Sequence, residues 1–283
     1  MFDFFSKDKT SYNDEQLRAL TVCCILMINN VGVDGALMFA YPKSKEVETP
    51  EQTKEGLKEW WGIENRDEAI NVMEYLSSAD GHTPVANEIY SKLIGKGEFE
   101  LLDGDTFDAY NEFELLAGNS LERAENQLPD FMEENNIPQE DAEEAFQVLA
   151  KIIFINRVNN ALAGYLKTVE FLKKYGYTTE EIRKINDFSA WDYGRCGMIV
   201  RKSAHIGYIQ ESEGWKYMLD AGKKAASTYK NWREFFAAYF LGRAIAYGSD
   251  DLEDSWEEIA EYLLENKNSP YQKIKFNLSQ VLH

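Results

Sequence analysis

Apolar residues recur at every third or fourth position along most of the chain, and this spacing is typical of α-helices. One face of the first predicted helix carries Leu17, Leu20, Cys24 and Ile28. Asn13 and Gln16 precede them with the spacing of a capping box. The alternation of apolar and polar residues that marks a strand is nearly absent. The pattern predicts an all-α fold, a compact multi-helix globular domain of roughly ten helices.

Cap and turn residues place the ends of several helices. Thr49-Pro50 predicts a helix start and Gly62 a left-handed stop, and Asn65 caps a helix that runs to about Ala79. The glycine-rich acidic stretch 95–105 is interpreted as a loop. The other predicted helices are a long one within 137–175, then 179–186, 190–206, 213–229, 232–247 and 252–265.

The acidic charge changes which partners are expected. The chain has 30 basic and 49 acidic residues, a net charge of -19. Such a surface repels phosphate groups, so nucleic acids and anionic membranes are not expected partners, whereas a basic protein is compatible. The alternative is that the excess acid only keeps the protein soluble. No oligomeric state can be predicted.

The cysteines and the apolar runs indicate a cytoplasmic protein. The chain has three cysteines, Cys23, Cys24 and Cys196. An odd number with two adjacent residues does not fit a disulfide framework. The first residues lack the pattern of a signal peptide. The longest apolar run, 20–28, is too short to span a bilayer and is expected to be a core helix with buried thiols.

Motifs of known catalytic mechanism are missing from the chain. The three histidines, His82, His205 and His283, have no metal-ligand spacing, and neither a P-loop nor a nucleophile elbow occurs. No metal and no cofactor are therefore predicted. Whether the protein is an enzyme stays open, because these absences exclude motifs rather than catalysis.

Charged residues on apolar stripes are the main candidates for a site. In 190–206, Asp192 and Arg195 share an inward stripe with Cys196, and in 232–247 Arg243 shares one with Tyr239. A buried guanidinium needs a carboxylate. Asp192 is therefore the predicted partner of Arg243.

Two interpretations of these residues remain open. In one, Asp192, Arg195 and Arg243 form buried ion pairs that fix how helices dock, and His82 caps a helix. In the other, the two arginines bind an anionic group in a polar pocket where His82 or Asp192 moves protons. The predicted flanking residues are Trp61, Arg66, Trp191 and Tyr239.

Several short motifs, in a fixed order, resemble a known family. They are Trp61-Gly62-Ile63-Glu64-Asn65-Arg66-Asp67-Glu68-Ala69, Gly81-His82, Ala190-Trp191-Asp192-Tyr193-Gly194-Arg195, Trp232-Arg233-Glu234-Phe235 and Tyr239-Phe240-Leu241-Gly242-Arg243. Together they resemble the bacterial domain-of-unknown-function family 1266, the YbeU/YbeR-like proteins, over about 60–247. The resemblance implies a bacterial helical domain and no established activity.

Within that resemblance, the family's marked positions and two departures bear on the site. Thr83 stands where a basic residue often follows the histidine, which weakens an anion site around His82. Asn231 replaces a usual serine, and both residues cap helices. The marked positions fall on Trp61, Gly62, Arg66, His82, Trp191, Asp192, Arg195, Gly242 and Arg243.

The whole chain, 1–283, is predicted to form a single helical domain. The family-like region is 60–247, the N-terminal helix 13–30 packs onto it, and a C-terminal helix and tail occupy 252–283. The leading functional hypothesis is an acidic, immunity-like protein-interaction module. The alternative is a small-molecule-binding protein or enzyme whose polar pocket consists of His82, Asp192, Arg195 and Arg243.

Overall fold

Helices make up the regular structure of the residues that the structure describes. The computed structural model describes residues 12–41, 48–98, 102, 112–248 and 254–277. No strand occurs in these ranges, which confirms the predicted all-α fold. The helices are α1 (Asp14–Val22), α2 (Cys24–Ala36), α3 (Pro50–Trp61), α4 (Arg66–Ser77), α5 (Thr83–Lys92), α6 (Leu115–Glu134), α7 (Ala142–Lys174), α8 (Thr179–Arg183), α9 (Ser189–His205), α10 (Glu211–Thr228), α11 (Trp232–Tyr247), α12 (Asp254–Ala260) and α13 (Pro270–Lys273).

The predicted N-terminal helix 13–30 is in fact two helices. Cys23 separates α1 from α2 with φ −92° and ψ 0°, and the chain bends there by 87°. The predicted capping box is confirmed, because the side chains of Asn13 and Gln16 each accept the other's backbone N–H. Across the described ranges, no single helix has both the length and the apolar character needed to cross a membrane; α1 and α2 meet that test only as a bent pair.

Helix α9 is the centre of a first compact unit, which contains the described residues up to Thr83, those from Asp187 to Phe240, and those from 254 onward. Helices α1, α2, α3, α4 and α10 all contact α9. Close approach depends on glycine: a Cβ on Gly194 would lie 2.6 Å from the Tyr239 ring, and one on Gly197 would collide with Cys23. Both Cys23 and Cys24 are buried thiols, as predicted.

Arg201 of α9 fastens the end of α2 to this core. Its side chain is fully buried, and its guanidinium donates to the carbonyls of Gly35, Ala36 and Phe39 at 2.8, 3.1 and 3.1 Å. These carbonyls lie at or just beyond the C-terminus of α2, where backbone acceptors lack helical partners and a positive charge is favourable. Burial lowers the pKa of Arg201 from its usual value.

A second compact unit contains the described residues from Pro84 to Asn186 and from Leu241 to Gly248. Its largest feature is an antiparallel pair formed by α6 and α7, of which α6 is a helix that the pattern did not predict. The Glu88 carboxylate accepts the first amides of α6, those of Glu114, Leu115 and Leu116, at 2.7 to 3.1 Å. A charged side chain thus supplies the N-cap that the local sequence lacks.

The described residues therefore divide into two units that interleave along the sequence, with α11 contributing to both. Most of the predicted loop 95–105 and the final residues of the predicted tail lie outside the described ranges. The prediction of a single domain stays a prediction.

Candidate functional site

Three of the predicted site residues meet in the first unit. Asp192 and Arg195 lie one turn apart on α9 and form an ion pair between Oδ1 and Nη2. The same Nη2 is 2.8 Å from Nδ1 of His82. The side chains of Asp192 and Arg195 are 0% and 3% exposed, so this is a buried charge pair.

The neighbouring arginine determines the tautomer of His82. A guanidinium can only donate hydrogen bonds, so Nδ1 of His82 must accept. We therefore assign the ring proton to Nε2 and a neutral imidazole to His82.

Asp192 also acts as the N-terminal cap of α5. Its carboxylate accepts the backbone N–H groups of His82 and Thr83 at 3.2 and 3.1 Å, and the Thr83 hydroxyl at 2.6 Å. A Cβ on Gly81 would lie 2.6 Å from Oδ1, so only glycine allows this turn to approach so closely. A carboxylate at a helix N-terminus is favourable because free amides and the helix dipole meet it there.

Thr83 and Gly81 are members of this network that sequence reasoning missed. The family resemblance marks Thr83 as a departure that weakens an anion site around His82. In the structure its hydroxyl and amide donate to the carboxylate of Asp192. No local pattern signals these contacts, because Gly81, His82 and Thr83 meet Asp192 across about 110 positions of the chain.

Aromatic rings enclose the guanidinium of Arg195. Its Cζ lies 5.3 Å from the ring centre of Trp61 and 4.9 Å from that of Trp191, distances at which cation–π attraction operates. Tyr239 packs edge-on against Trp191 with ring centres 5.1 Å apart. Three of the four predicted flanking residues thus surround the network.

The other two predicted residues lie elsewhere. Arg66, the fourth flanking residue, forms a surface ion pair with Glu213 at 2.5 Å, and its side chain is 52% exposed. Arg243 is buried and belongs to the second unit. The ion pair of Asp192 described here is with Arg195, and the predicted pairing with Arg243 stays a prediction.

The network of Asp192, Arg195 and His82 has little capacity for chemistry on a ligand, because its hydrogen-bonding groups are already occupied. Asp192 is buried, paired and bonded to three further donors, so its carboxylate has little capacity left to take a proton from a ligand. Breaking such a pair costs about 3–5 kcal/mol, because the remaining charge is stranded. The geometry therefore favours a role in docking the turn at Gly81 onto α9.

A cleft of about 580 Å³ lies elsewhere in the same unit, against α4 and α10. Its walls carry two acidic and two basic side chains. The lining residues are Glu74, Ser77, Ser78, Lys216, Tyr217, Leu219, Asp220 and Lys223, none of which the sequence singled out. In the described part of the chain, no three His, Cys, Asp or Glu side chains are grouped to hold a metal ion.

The second unit presents a strongly acidic surface on α6, α7 and their connection, residues 115–152, which we call the acidic hairpin. It carries nine acidic and two basic residues. None of the acidic side chains forms an ion pair with a base in the described ranges. They are Glu122, Glu125, Asp130, Glu133, Glu134, Glu140, Asp141, Glu143 and Glu144.

Apolar side chains are exposed beside these charges. Val148 and Ile152 are 44% and 42% exposed, and Glu144 precedes them by one and two helical turns on the same face of α7. The inner face of the hairpin is packed separately around Ala124, Leu149 and Ala150. The exposed pair is thus additional to the apolar contacts that hold α6 to α7.

Comparison with known proteins identifies the family without an activity. The chain is 32% identical to the uncharacterized protein YbeR of Escherichia coli (strain K12) over 62 residues, 22% of this chain. It spans about a quarter, 26%, of the length of that relative. No solved structure matches. Residues 56–276 match the family described as "Protein of unknown function (DUF1266)", and the chain belongs to this family.

Proposed function

We propose that this protein is a protein-interaction module whose acidic hairpin binds a basic protein partner, in the manner of an immunity protein. The observation that carries the proposal is the hairpin's composition, with nine acidic residues against two basic ones. One of these charges, that of Glu144, lies on the same face of α7 as the exposed side chains of Val148 and Ile152. The surface therefore offers both charge and apolar area to a partner.

Some of the acidic residues work against the stability of α6. Asp130 and Glu134 are four positions apart in that helix, a spacing at which like charges destabilise it by about 0.2–0.5 kcal/mol, whereas Glu143 and Glu144 lie in the first turn of α7, where negative charge is favourable. Charges held at this disadvantage are useful for recognition, because a field of one sign accelerates encounter with a complementary protein. Their loss should therefore reduce binding and leave the fold intact.

The exposed apolar pair supports the same proposal, because apolar contacts act at short range and charges act at long range. Protein interfaces have a dehydrated apolar centre within a polar rim, and charge alone rarely gives a lasting complex. Val148 and Ile152, one and two turns beyond Glu144 on the same face of α7, supply such an apolar centre. The partner is expected to present apolar residues among lysines and arginines. We place the encounter in the cytoplasm, where the three buried, unpaired thiols would stay reduced.

The alternative function, a small-molecule site or enzyme built on His82, Asp192, Arg195 and Arg243, has weaker support. Its discriminating feature is a pocket that exposes these side chains. Asp192 and Arg195 are instead 0% and 3% exposed, and neither lines the cleft against α4 and α10.

The proposal can be tested by affinity capture from an extract of the native organism with three baits. One is the unaltered chain, and the second carries Glu133→Gln, Glu134→Gln and Glu144→Gln in the hairpin. The third is a control with the same change in charge on the exposed face of α3. Its substitutions are Glu51→Gln, Glu55→Gln and Glu59→Gln.

We expect a basic protein to be recovered by the unaltered and control baits and lost from the hairpin variant. Its recovery should also fall between about 0.05 and 0.5 M salt, because screening shortens the reach of surface charge. Equal recovery by all three baits, or recovery of no basic protein at low salt, would count against the proposal.

A further inference from the structure

The first unit contains a second cleft, which we call the basic cleft. It shares no residue with the predicted polar site, the acidic hairpin or the cleft against α4 and α10. It has a volume of about 610 Å³ and lies among the start of α11, the π-helix Glu261–Glu265 and the segment from α13 to Phe276. This volume is within the range of small-molecule sites, about 300–1,000 Å³. The lining residues are Asn231, Trp232, Arg233, Leu263, Leu264, Tyr271, Gln272, Lys273, Ile274, Lys275 and Phe276.

Hydrogen bonds from side chains to the backbone hold the walls of the basic cleft together. The Trp232 indole N–H donates to the carbonyl of Ile274 at 2.7 Å. Gln272 Nε2 donates to the carbonyl of Leu264 at 3.2 Å, which joins the segment after α13 to the π-helix. Buried Ser269 donates to the carbonyl of Leu263 at 2.8 Å. The cleft is thus formed before any ligand arrives, which lowers the entropy that binding must overcome.

Aromatic rings form the apolar part of the lining. The ring of Trp232 stacks on Tyr271 with centres 4.9 Å apart and planes 10° from parallel. Phe276 meets Trp232 edge-on at 4.7 Å. Leu264, half-buried on the π-helix, extends this apolar surface. The three rings are 6% to 8% exposed, so a ring or a short acyl chain in the cleft would contact this remaining area together with Leu264.

The charge of the basic cleft is opposite to that of the whole protein. Its lining includes Arg233, Lys273 and Lys275 and no acidic residue, in a chain with a net charge of -19. Lys273 and Lys275 are exposed and form no ion pair within the described residues. A ligand in the cleft therefore meets these two cations directly, whereas the neighbouring acidic residues Glu234 and Glu265 do not line it.

We propose that the basic cleft binds an amphipathic anion, a small molecule with an apolar ring or short acyl body and a carboxylate or phosphate head. The body lies against Trp232, Phe276 and Leu264, and the head is held by Lys273 and Lys275. This site goes beyond the interaction function proposed for the acidic hairpin and does not depend on it.

Isothermal titration of the full chain with octanoate, octyl phosphate and octan-1-ol tests the proposal, because the three probes share one apolar body. At least one anion should bind about tenfold or more tightly than the alcohol, a difference of about 1.4 kcal/mol. Comparison of octanoate with octyl phosphate identifies the preferred head. Equal affinity for anions and alcohol, or no saturable binding of either anion, would overturn it.

Matched charge reversals locate the binding. Lys273→Glu with Lys275→Glu should weaken the preferred anion about tenfold or more, with little change for the alcohol. The control, Lys216→Glu with Lys223→Glu, makes the same change in net charge at the other cleft and should alter affinity less than about twofold. Equal weakening by both pairs would contradict the assignment.

Circular dichroism of each variant checks that it is folded. If the glutamate pair does not fold, Lys273→Gln with Lys275→Gln gives the same test with a smaller expected loss. Unchanged anion affinity in that folded variant would also overturn the proposal.

Discussion

Helix α9 in the first unit and the acidic hairpin in the second unit differ in where their charged side chains lie and whether they are paired. All residues of α9 from Ser189 to Ser203 are buried, and its charged side chains are partnered: Asp192 with Arg195, Arg201 with backbone carbonyls, and Lys202 with Glu48. The acidic hairpin carries nine acidic side chains, and none pairs with a base in the described ranges.

The difference separates buried charges, which are paired inside the fold, from exposed charges, which are not. A buried charge must be paired, because an isolated one is destabilising by several kcal/mol. An exposed charge has no such requirement, and a surplus of one sign affects association more than stability. The two regions should therefore respond to substitution in opposite directions.

The largest effect should come from Asp192. Asp192→Ala strands the buried guanidinium of Arg195 and removes the acceptor of Thr83, so the free energy of unfolding should fall by about 3–5 kcal/mol in urea melts. Asp130→Ala in the acidic hairpin is the matched control, with an expected change within about 0.5 kcal/mol. A loss below about 1 kcal/mol for Asp192→Ala would mean that the pair does not hold the core.

Double-mutant cycles then apportion the effect. Asp192→Ala combined with Arg195→Met should cost clearly less than the sum of the two single changes. The same cycle with Arg243→Met tests the pairing of Asp192 and Arg243 that the sequence predicts. Additive effects in the first cycle would contradict the buried ion pair.

Glycine substitutions should sharpen the contrast at a smaller scale. Gly81→Ala places a Cβ 2.6 Å from Oδ1 of Asp192 and should lower the free energy of unfolding by about 1–3 kcal/mol. A Cβ at Gly118 on α6 would meet nothing within 4 Å. Gly118→Ala should therefore raise the free energy of unfolding by about 0.5–1 kcal/mol, because alanine favours the helix. Thermal melts that give both variants the same sign would contradict this distinction.

The pH dependence of stability should reflect the buried thiols of the first unit. Burial raises the pKa of Cys23 to about 11, against an unfolded value of 9.0. The contribution of this thiol to the free energy of unfolding is complete below pH 9.0. It is lost towards pH 11, because the thiol loses its proton at a lower pH in the unfolded chain than in the folded one. Between pH 8 and about pH 10, the free energy of unfolding should therefore fall by about 1 kcal/mol less in Cys23→Ala than in the unaltered chain. Parallel losses in urea melts would show that the thiol is not buried.

The smallest effect should come from the end of α6. Glu133 and Glu134 lie in its last turn, where a negative charge meets the negative end of the helix dipole. Glu133→Gln with Glu134→Gln should raise the free energy of unfolding by about 0.5 kcal/mol in urea melts. Glu51→Gln, in the first turn of α3, should lower it by about 0.3 kcal/mol. A loss in the hairpin variant would mean that these acids have a structural partner.

Local signals predicted much of the fold. Thr49 caps α3 through the Gln52 amide, Gly62 ends that helix with φ 63°, and Asn65 caps α4, all as expected from short-range chemistry. The bend at Cys23 could not be predicted, because the apolar run 20–28 continues through it. Helix α6 was missed, since Gly118 and Pro129 interrupt its pattern.

The site was predictable only as far as helical spacing reaches. The inward positions of Asp192 and Arg195 follow from the period of α9. The contact between Thr83 and Asp192 joins residues 109 positions apart, and it depends on tertiary packing that the pattern does not encode. The basic cleft could not be predicted from the sequence for the same reason, because Trp232 and Lys273 come from separate segments.

Hydrogen exchange of the chain with and without its captured partner tests the central claim most directly. If the acidic hairpin is the binding surface and the network on α9 is structural, amides in 115–152 should exchange more slowly in the complex. Amides at Gly81–Thr83 and in α9 should exchange at the same rate in both samples. Protection confined to those two segments, with the hairpin unchanged, would contradict the account.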